Sequence, residues 1–495
     1  MSTLLVTTTS LAALIIYVLV HTLYIRKGLH KTPQFVRGNY PILGAVGFWT
    51  RRWDFFKEAR SFSKSGNFSF HAGSNLLVCV TGEKGRRVFY DSRELRLEEG
   101  YSVLFGQIPD TKLNDDADLR EDARSTHQRF MRHLQHFIKI DYIRSRFPLM
   151  RAEVRAGMEA IKNDPRGVTD PFDSIYRLIF MLLIHLAGGD EMAKDHNIAD
   201  EILYYFAMLD ESAGATTVMF PRTPSWPFLK RTYAGFRLYT VVDNIVKQRS
   251  KQRLDDPIQY LLDEGERSYK IVEFLIGILF AGLLNSGINA AYTMCCLASS
   301  PEWLAKARQE VRLVAGKYAK DPNGPLYRQL DDVPFNAFET DFPAVGACLK
   351  DSIRLNQMMA QFRRNCSRHA IKLGNGEVIP PGAFATYHVG DAHMDPDIYP
   401  EPEKWDPSRW SPGVEQDKKG YAFVGWGCGK HPCMGMRFAK LEQNLITAYF
   451  LAYFDFHLED EHGSKLAEPP EIDYNQHGPG RPKTKHFLKV TPLEK

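Results

Sequence analysis

Residues 423–435 read FVGWGCGKHPCMG and place Cys428 and Cys433 five positions apart among glycines, a tryptophan and a proline. A thiolate is a strong, soft metal donor whose basicity follows the amides and charges around it. The fold turns on whether either sulfur holds a metal. A zinc site needs further ligands, and although His431 lies between the two cysteines, no second Cys or His cluster at ligand spacing lies nearby. Two ordinary buried thiols would be the default for isolated cysteines.

The spacing points elsewhere, because WGCGKHPCMGMRFAKLE (426–442) resembles the cysteine-ligand loop of the cytochrome P450 family, FxxGx(R/H)xCxG running into a helix. Registered on Cys433, the pattern places Trp426 at the aromatic position, then Gly429, His431 and Gly435. Registered on Cys428 it fails, since Val424 and Lys430 fall where glycines are needed. The resemblance implies that Cys433 is the axial ligand of a haem b iron (iron protoporphyrin IX), with Trp426 packed on the porphyrin and His431 near a propionate. Glycines permit a tight loop whose amides turn toward the sulfur, and the helix that follows presents its N-terminal end to an anion.

Other segments extend the resemblance over nearly the whole body. KDSIRL (350–355) resembles the family's ExxR element with Asp351 for glutamate and Arg354 in place; WDPSRW (405–410) resembles PxRF, with Arg409 completing a carboxylate and two-arginine network. At i and i+3, Asp351 and Arg354 share a helix face. As an isolated surface pair they would contribute little. The shorter aspartate reaches less far toward Arg409. Arg364 matches a family position that meets a haem propionate, for which a guanidinium is suited by paired hydrogen bonds. In THQRFMRHL (126–134), Arg132 or Arg129 stands where the family has WxxxR, but the tryptophan is absent. Either arginine also fits the basic face of an amphipathic helix.

FLIGILFAGLLNSGINAAYTMCCLASSPEW (274–303) resembles the family's long central helix over the haem, with pattern AGx(D/E)T. Ala281 and Gly282 match, implying room for dioxygen and substrate beside the iron. Leu284 and Asn285 occupy the acid and threonine positions, so the usual proton-delivering pair is missing. Asn285 can donate and accept hydrogen bonds, and three readings stay open: it organises dioxygen as in sterol hydroxylases, accompanies peroxide rearrangement as in prostacyclin synthase, or bonds its own helix backbone.

The chain has 495 residues, 44% hydrophobic and 25% charged, an ordinary globular composition. Its 63 Lys and Arg against 59 Asp and Glu are too balanced for nucleic acid to be the main partner. Seven cysteines at no framework spacing suit the reduced thiols of a cytosol-facing protein. Leu4 to Tyr24 carries no Asp, Glu, Lys or Arg, and at about 1.5 Å per residue it just spans a hydrocarbon core of roughly 30 Å. Arg26, Lys27 and Lys31 follow, which places the remainder on the cytosolic side. The expected organisation is a membrane anchor over 1–30, transmembrane about 4–24, and one catalytic domain over 31–495.

NLLVCVTG (75–82) reads as a strand ending at Gly82 before a short helix, and Asn375-Gly376 suits a hairpin. Ile175 to Leu186 and Ile271 to Ala298 are apolar at helical spacing, and Ser300-Pro301 stops the second. The fold class expected is mainly α with a small β-sheet region, the cytochrome P450 fold.

The resemblance implies a monooxygenase of the endoplasmic reticulum membrane that inserts one oxygen atom from O2 into a lipophilic terpenoid, sterol or other specialised metabolite. Electrons would come from NADPH through NADPH-cytochrome P450 reductase, with cytochrome b5 a further donor and Lys430, Arg437 and Lys440 the basic docking face. An electron-independent isomerase or dehydratase is the alternative, and a non-catalytic haem sensor a third. The segment 210–238 resembles the pocket-roof connector of the sterol-demethylase branch; Phe220, Pro221, Trp226, Pro227 and Phe228 offer an apolar surface beside Lys230 and Arg231. Met358, Met359 and Phe362 are candidates to line the pocket, with core packing the alternative.

Overall fold

The computed structural model describes residues 12–13, 15–17, 31–40, 43–104, 117–219, 223–249, 251–411, 413–414 and 420–493, with backbone alone for 101–104 and 117–126. The expected span over 4–24 lies almost wholly outside them, as do Phe220 and Pro221. Residues 12, 13 and 15–17 are helical and exposed.

One helix organises the rest. The central helix, Ser268–Ser299, is apolar on nearly every side because it runs through a bundle rather than along its surface. It is the one described helix long and apolar enough to cross a membrane, yet over half of its most apolar window is buried inside the protein. Ser300 is extended at φ −123° and ψ 91°, and Pro301 opens the next helix, Pro301–Tyr318, as the sequence predicts. Helix Pro171–Ala187 lies along the central helix; Asp170 caps it by accepting the Phe172 N–H at 2.8 Å. Helix Met436–Tyr453, which follows the cysteine loop, is buried along most of its length.

The sheet gathers strands from both halves of the chain. Its order is Asn39–Tyr40, Gly44–Ala45, Phe68–Ala72, Asn75–Cys79, Phe384–His388, Ala360–Asn365, Leu95–Arg96. Asn75–Cys79 and Phe384–His388 are parallel, with Phe384 opposite Leu77; the other pairs are antiparallel. The strand read as running to Gly82 stops at Cys79, since Gly82 takes a positive φ of 65° and starts helix Gly82–Asp91. The hairpin expected at Asn375-Gly376 forms, pairing Ile371–Lys372 with Val378–Ile379. Gly374 and Gly376 supply φ of 85° and 88°.

Met358 and Phe362 pack in the core rather than against accessible space. Phe362 joins the cluster containing Phe48, Phe55 and Phe70, and Met358 lies against Gly390.

Candidate active site around Cys433

The loop folds as its glycines demand. Gly427–Cys428 pairs with His431–Pro432 in a short hairpin, so the two cysteines end on different parts of one turn. Gly427 has φ +64°, and a Cβ there would lie 2.4 Å from the His431 carbonyl oxygen; Gly429 has φ +58°, with the Tyr90 oxygen 2.7 Å from its would-be Cβ. No other residue fits either position without moving backbone. The Cys433 N–H donates to the Trp426 carbonyl at 2.6 Å and the Lys430 N–H to Tyr90 at 3.1 Å.

The sulfurs then diverge. Cys428 packs against the cluster of Phe89, Tyr90, Tyr387 and Val424, and burial, reinforced by Asp91, pushes its thiol up to about 12. Cys433 is exposed, yet burial is the largest influence on its thiol and raises its pKa, while an amide hydrogen bond from Gly435 lowers it. The thiol is thus crowded by protein and still accessible. A fixed amide donor at the sulfur is what a thiolate ligand requires.

The central helix shows a matching stripe. Gly277, Phe280, Ala281, Leu284 and Asn285 keep accessible surface at helical spacing, whereas Ile278, Leu279, Leu283 and Gly287 are buried. Gln443 Nε2 donates to the Ser286 carbonyl at 2.8 Å, tying the helix after the cysteine loop to this segment. Gly282, expected to leave room for dioxygen, serves another contact: its would-be Cβ lies 2.8 Å from Leu183 Cδ2 on helix Pro171–Ala187. One residue is a turn of about 100° on a helix, so Ala281 faces the stripe and Gly282 faces the neighbour. Asn285 Nδ2 donates to Ala281 O at 3.0 Å, the third of the readings left open by the sequence.

Asp351 and Arg354 are fully buried. Arg354 Nε donates to Asp351 Oδ1 at 2.8 Å and Nη2 to Oδ2 at 3.3 Å, while its other N–H groups reach the carbonyls of His393, Pro402 and Lys404. The carboxylate also accepts the Asp406 N–H at 2.6 Å and Trp410 Nε1–H at 3.2 Å. Arg409 stays 4.0 Å from Asp351 Oδ1 and donates to the Glu401 carbonyl at 3.0 Å. The short side chain therefore secures Arg354 and holds Arg409 only at a distance.

His393 connects this network to the cysteine loop, a role the sequence reading missed. Its Nδ1 meets the Arg354 carbonyl at 3.0 Å, and its Nε2 accepts the Val424 N–H at 3.0 Å. Burial, then the Arg354 charge, lowers its pKa to about 3, so the ring is neutral with the proton on Nδ1. Nothing in the segment AHMDP (392–396) singles it out; only the surrounding contacts do.

The remaining candidates scatter. Arg364 is buried; its Nε donates to Gly382 O at 3.3 Å, with Glu99 3.8 Å from Nη1. His431 is half-buried, and burial followed by the nearby Arg363 lowers its pKa. Trp426 is half-buried. Arg132 is 57% exposed and lies 3.9 Å from Glu266, whereas Arg129 is half-buried. Arg437, in the helix after the loop, is bound to Glu339, and Lys430, in the loop, is exposed.

The cytochrome P450 family model matches residues 33–481. Cytochrome P450 monooxygenase AacuE of Aspergillus aculeatus is 34% identical over 460 residues, covering 91% of each chain. Cytochrome P450 monooxygenase nsrP of Aspergillus novofumigatus is 30% identical, covering 99% of this chain and 96% of its own. Lanosterol 14-alpha demethylase of Cunninghamella elegans is 25% identical over 89% of this chain and 88% of its own. A solved structure of retinoic acid-bound cyanobacterial CYP120A1 matches with TM-score 0.69 at 20% identity, over 93% of this chain and 99% of that one. The chain belongs to the cytochrome P450 family and is an oxidoreductase. The family's cofactor is haem, and the chemistry of the loop fits it: an accessible thiol with an amide donor at the sulfur, and an accessible, mostly apolar stripe on the central helix.

Proposed function

We propose that the protein is a membrane-anchored haem-thiolate monooxygenase in which Cys433 ligates the iron of haem b. Bound haem supplies the redox chemistry by which substrate, O2, NADPH and a proton become hydroxylated product, water and NADP+. The single observation that carries this reading is the accessible Cys433 thiol under the Gly435 amide. That amide and the start of helix Met436–Tyr453 stabilise sulfur anion. The propionates fall to Arg364, His431 and, of the two arginines in THQRFMRHL, Arg129 rather than the exposed Arg132. His393 holds Val424 in register with the Asp351–Arg354 network, so the loop cannot shift without disturbing a fully buried ion pair. Ala281 leaves space on the central helix, and Asn285 Oδ1 remains an acceptor for a water or substrate hydroxyl.

The substrate is lipophilic and drawn from the endoplasmic reticulum bilayer. Trp226, Phe228, Leu229 and Phe236 are exposed on helix Trp226–Arg249, with Lys230 beside them, as an interfacial surface requires. Electrons arrive from NADPH-cytochrome P450 reductase at the face bearing Lys430 and Lys440, with cytochrome b5 a further donor.

Peroxide rearrangement is the second reading, favoured by the Asn285 side-chain N–H being spent on its own helix. Turnover of a fungal metabolite extract under 18O2, with and without reductase, separates the two. Monooxygenation predicts one 18O in the product and no product without reductase. Product formed without reductase, or lacking label, overturns it.

A further inference from the structure

Two half-buried charged side chains lie on the packed sides of helices above the central helix, and among the described residues neither has a hydrogen bond or a close ion pair. Helix His196–Glu211 buries Ala199, Ile202 and Phe206, and Asp210 continues that row one turn further. Helix Trp226–Arg249 buries Ala234, Leu238, Val242 and Ile245, and Arg231 precedes Ala234 on the same side. These helices pack on each other, so both residues come from inner faces, at the ends that residues 212–225 join. Among the described residues no hydrogen bond or ion pair reaches the Asp210 carboxylate or the Arg231 guanidinium, and Arg231 Nη1 is buried without a partner. Each still feels the other: burial raises Asp210 to about 6 while Arg231 opposes the rise, and burial lowers Arg231 while Asp210 opposes it. Tyr176 lies within electrostatic reach of Asp210. Its phenol is raised by burial and then by the Asp210 charge, and its ring lies against Gly287 of the central helix, two residues beyond Asn285.

Arg231 Nη1 is withdrawn from water without a hydrogen bond, which is costly, while both residues keep accessible surface for a ligand to meet. An arginine offers a fork of N–H donors and a carboxylate only acceptors. We propose that Asp210 and Arg231 hold the polar end of the substrate, Arg231 donating to an anionic or carbonyl oxygen and Asp210 accepting from a hydroxyl beside it. The substrate class is thus a lipophilic hydroxy acid or hydroxyketone, oriented with its apolar remainder toward the stripe at Ala281. This deepens the monooxygenase reading and rests on it.

The test uses the full-length holoenzyme and two scaffolds, 3-hydroxydodecanoate and 3-hydroxy-2-naphthoate, each also as its methyl ether and its methyl ester. Dissociation constants are measured by calorimetry, so binding is read whether or not the haem responds. Each cap is expected to weaken binding by about tenfold or more on at least one scaffold, the scale of a hydrogen bond to a charged group. The ester penalty should vanish in Arg231→Met and the ether penalty in Asp210→Ala, while Arg231→Lys retains part of the ester penalty. Equal affinity for capped and uncapped compounds, binding of none of them, or penalties that survive in the variants would overturn the proposal. A carbon monoxide difference spectrum on each protein keeps the failures apart. A thiolate band with no discrimination sinks the polar hook alone, whereas a wild-type protein without that band sinks the monooxygenase reading.

Discussion

Replacing Asp351 by alanine removes the acceptor of four hydrogen bonds, from Arg354 Nε, Arg354 Nη2, Asp406 N–H and Trp410 Nε1–H. Arg354 would keep only the carbonyls of His393, Pro402 and Lys404. Its guanidinium, which has no exposure, would then be a buried charge without a counter-ion. Breaking such a pair costs about 3–5 kcal/mol, a large share of the roughly 5–15 kcal/mol that stabilises a typical folded protein. At the middle of that range the folded-to-unfolded ratio falls by about a thousandfold. The disturbance reaches the cysteine loop through His393, whose Nδ1 sits on the Arg354 carbonyl. Urea unfolding followed by circular dichroism, with haem content per polypeptide measured beside it, checks both effects. The Asp351→Ala, Arg354→Met double variant should cost at least about 1 kcal/mol less than the sum of the singles, because the stranded charge leaves with the arginine. An unchanged urea midpoint for Asp351→Ala, or strict additivity in the double variant, would refute the reasoning.

His388 is buried, its pKa lowered to about 3 by burial and then by Arg52. Unfolded, it titrates near 6.5, so from about pH 6.5 down to 3 only the unfolded chain takes the proton; this contribution to stability is whole above that window and shrinks within it by about 1.4 kcal/mol per pH unit. His388→Phe should therefore flatten the acid limb of unfolding midpoints against pH by about that slope, and parallel limbs would contradict it. Gly427→Ala, with its Cβ 2.4 Å from the His431 oxygen and φ at +64°, should lose most of its haem, which the pyridine haemochrome assay reads directly. Asn285→Ala gives up one hydrogen bond to its own helix, so its unfolding midpoint should hold while product per NADPH falls about tenfold.

Much of this was legible because short patterns imply backbone. Glycines around Cys433 demand a tight loop, and Asp351 and Arg354 three apart demand a shared helix face; both forms are present. The central helix showed its length and its stop at Ser300-Pro301. What stayed hidden depended on neighbours. Gly282 looked like part of a dioxygen groove, but Leu183 of another helix claims its space. Arg129 and Arg132 are three residues apart on one helix, and their different exposure is invisible until the neighbouring elements, Glu266 among them, are in place. His393 gained its role only when residues 354 and 424 closed on its two nitrogens. Asp210 and Arg231 sit on separate helices, and the want of a hydrogen-bond partner among the described residues is a property of space with no sequence signature.

The central claim is that Cys433, and not Cys428, holds the haem iron. The reduced carbon monoxide difference spectrum of purified wild type, Cys433→Ala and Cys428→Ala tests it most directly. The account predicts a thiolate band in wild type and in Cys428→Ala, and none in Cys433→Ala. A histidine-type band in wild type, or a thiolate band that survives Cys433→Ala and vanishes in Cys428→Ala, would contradict it.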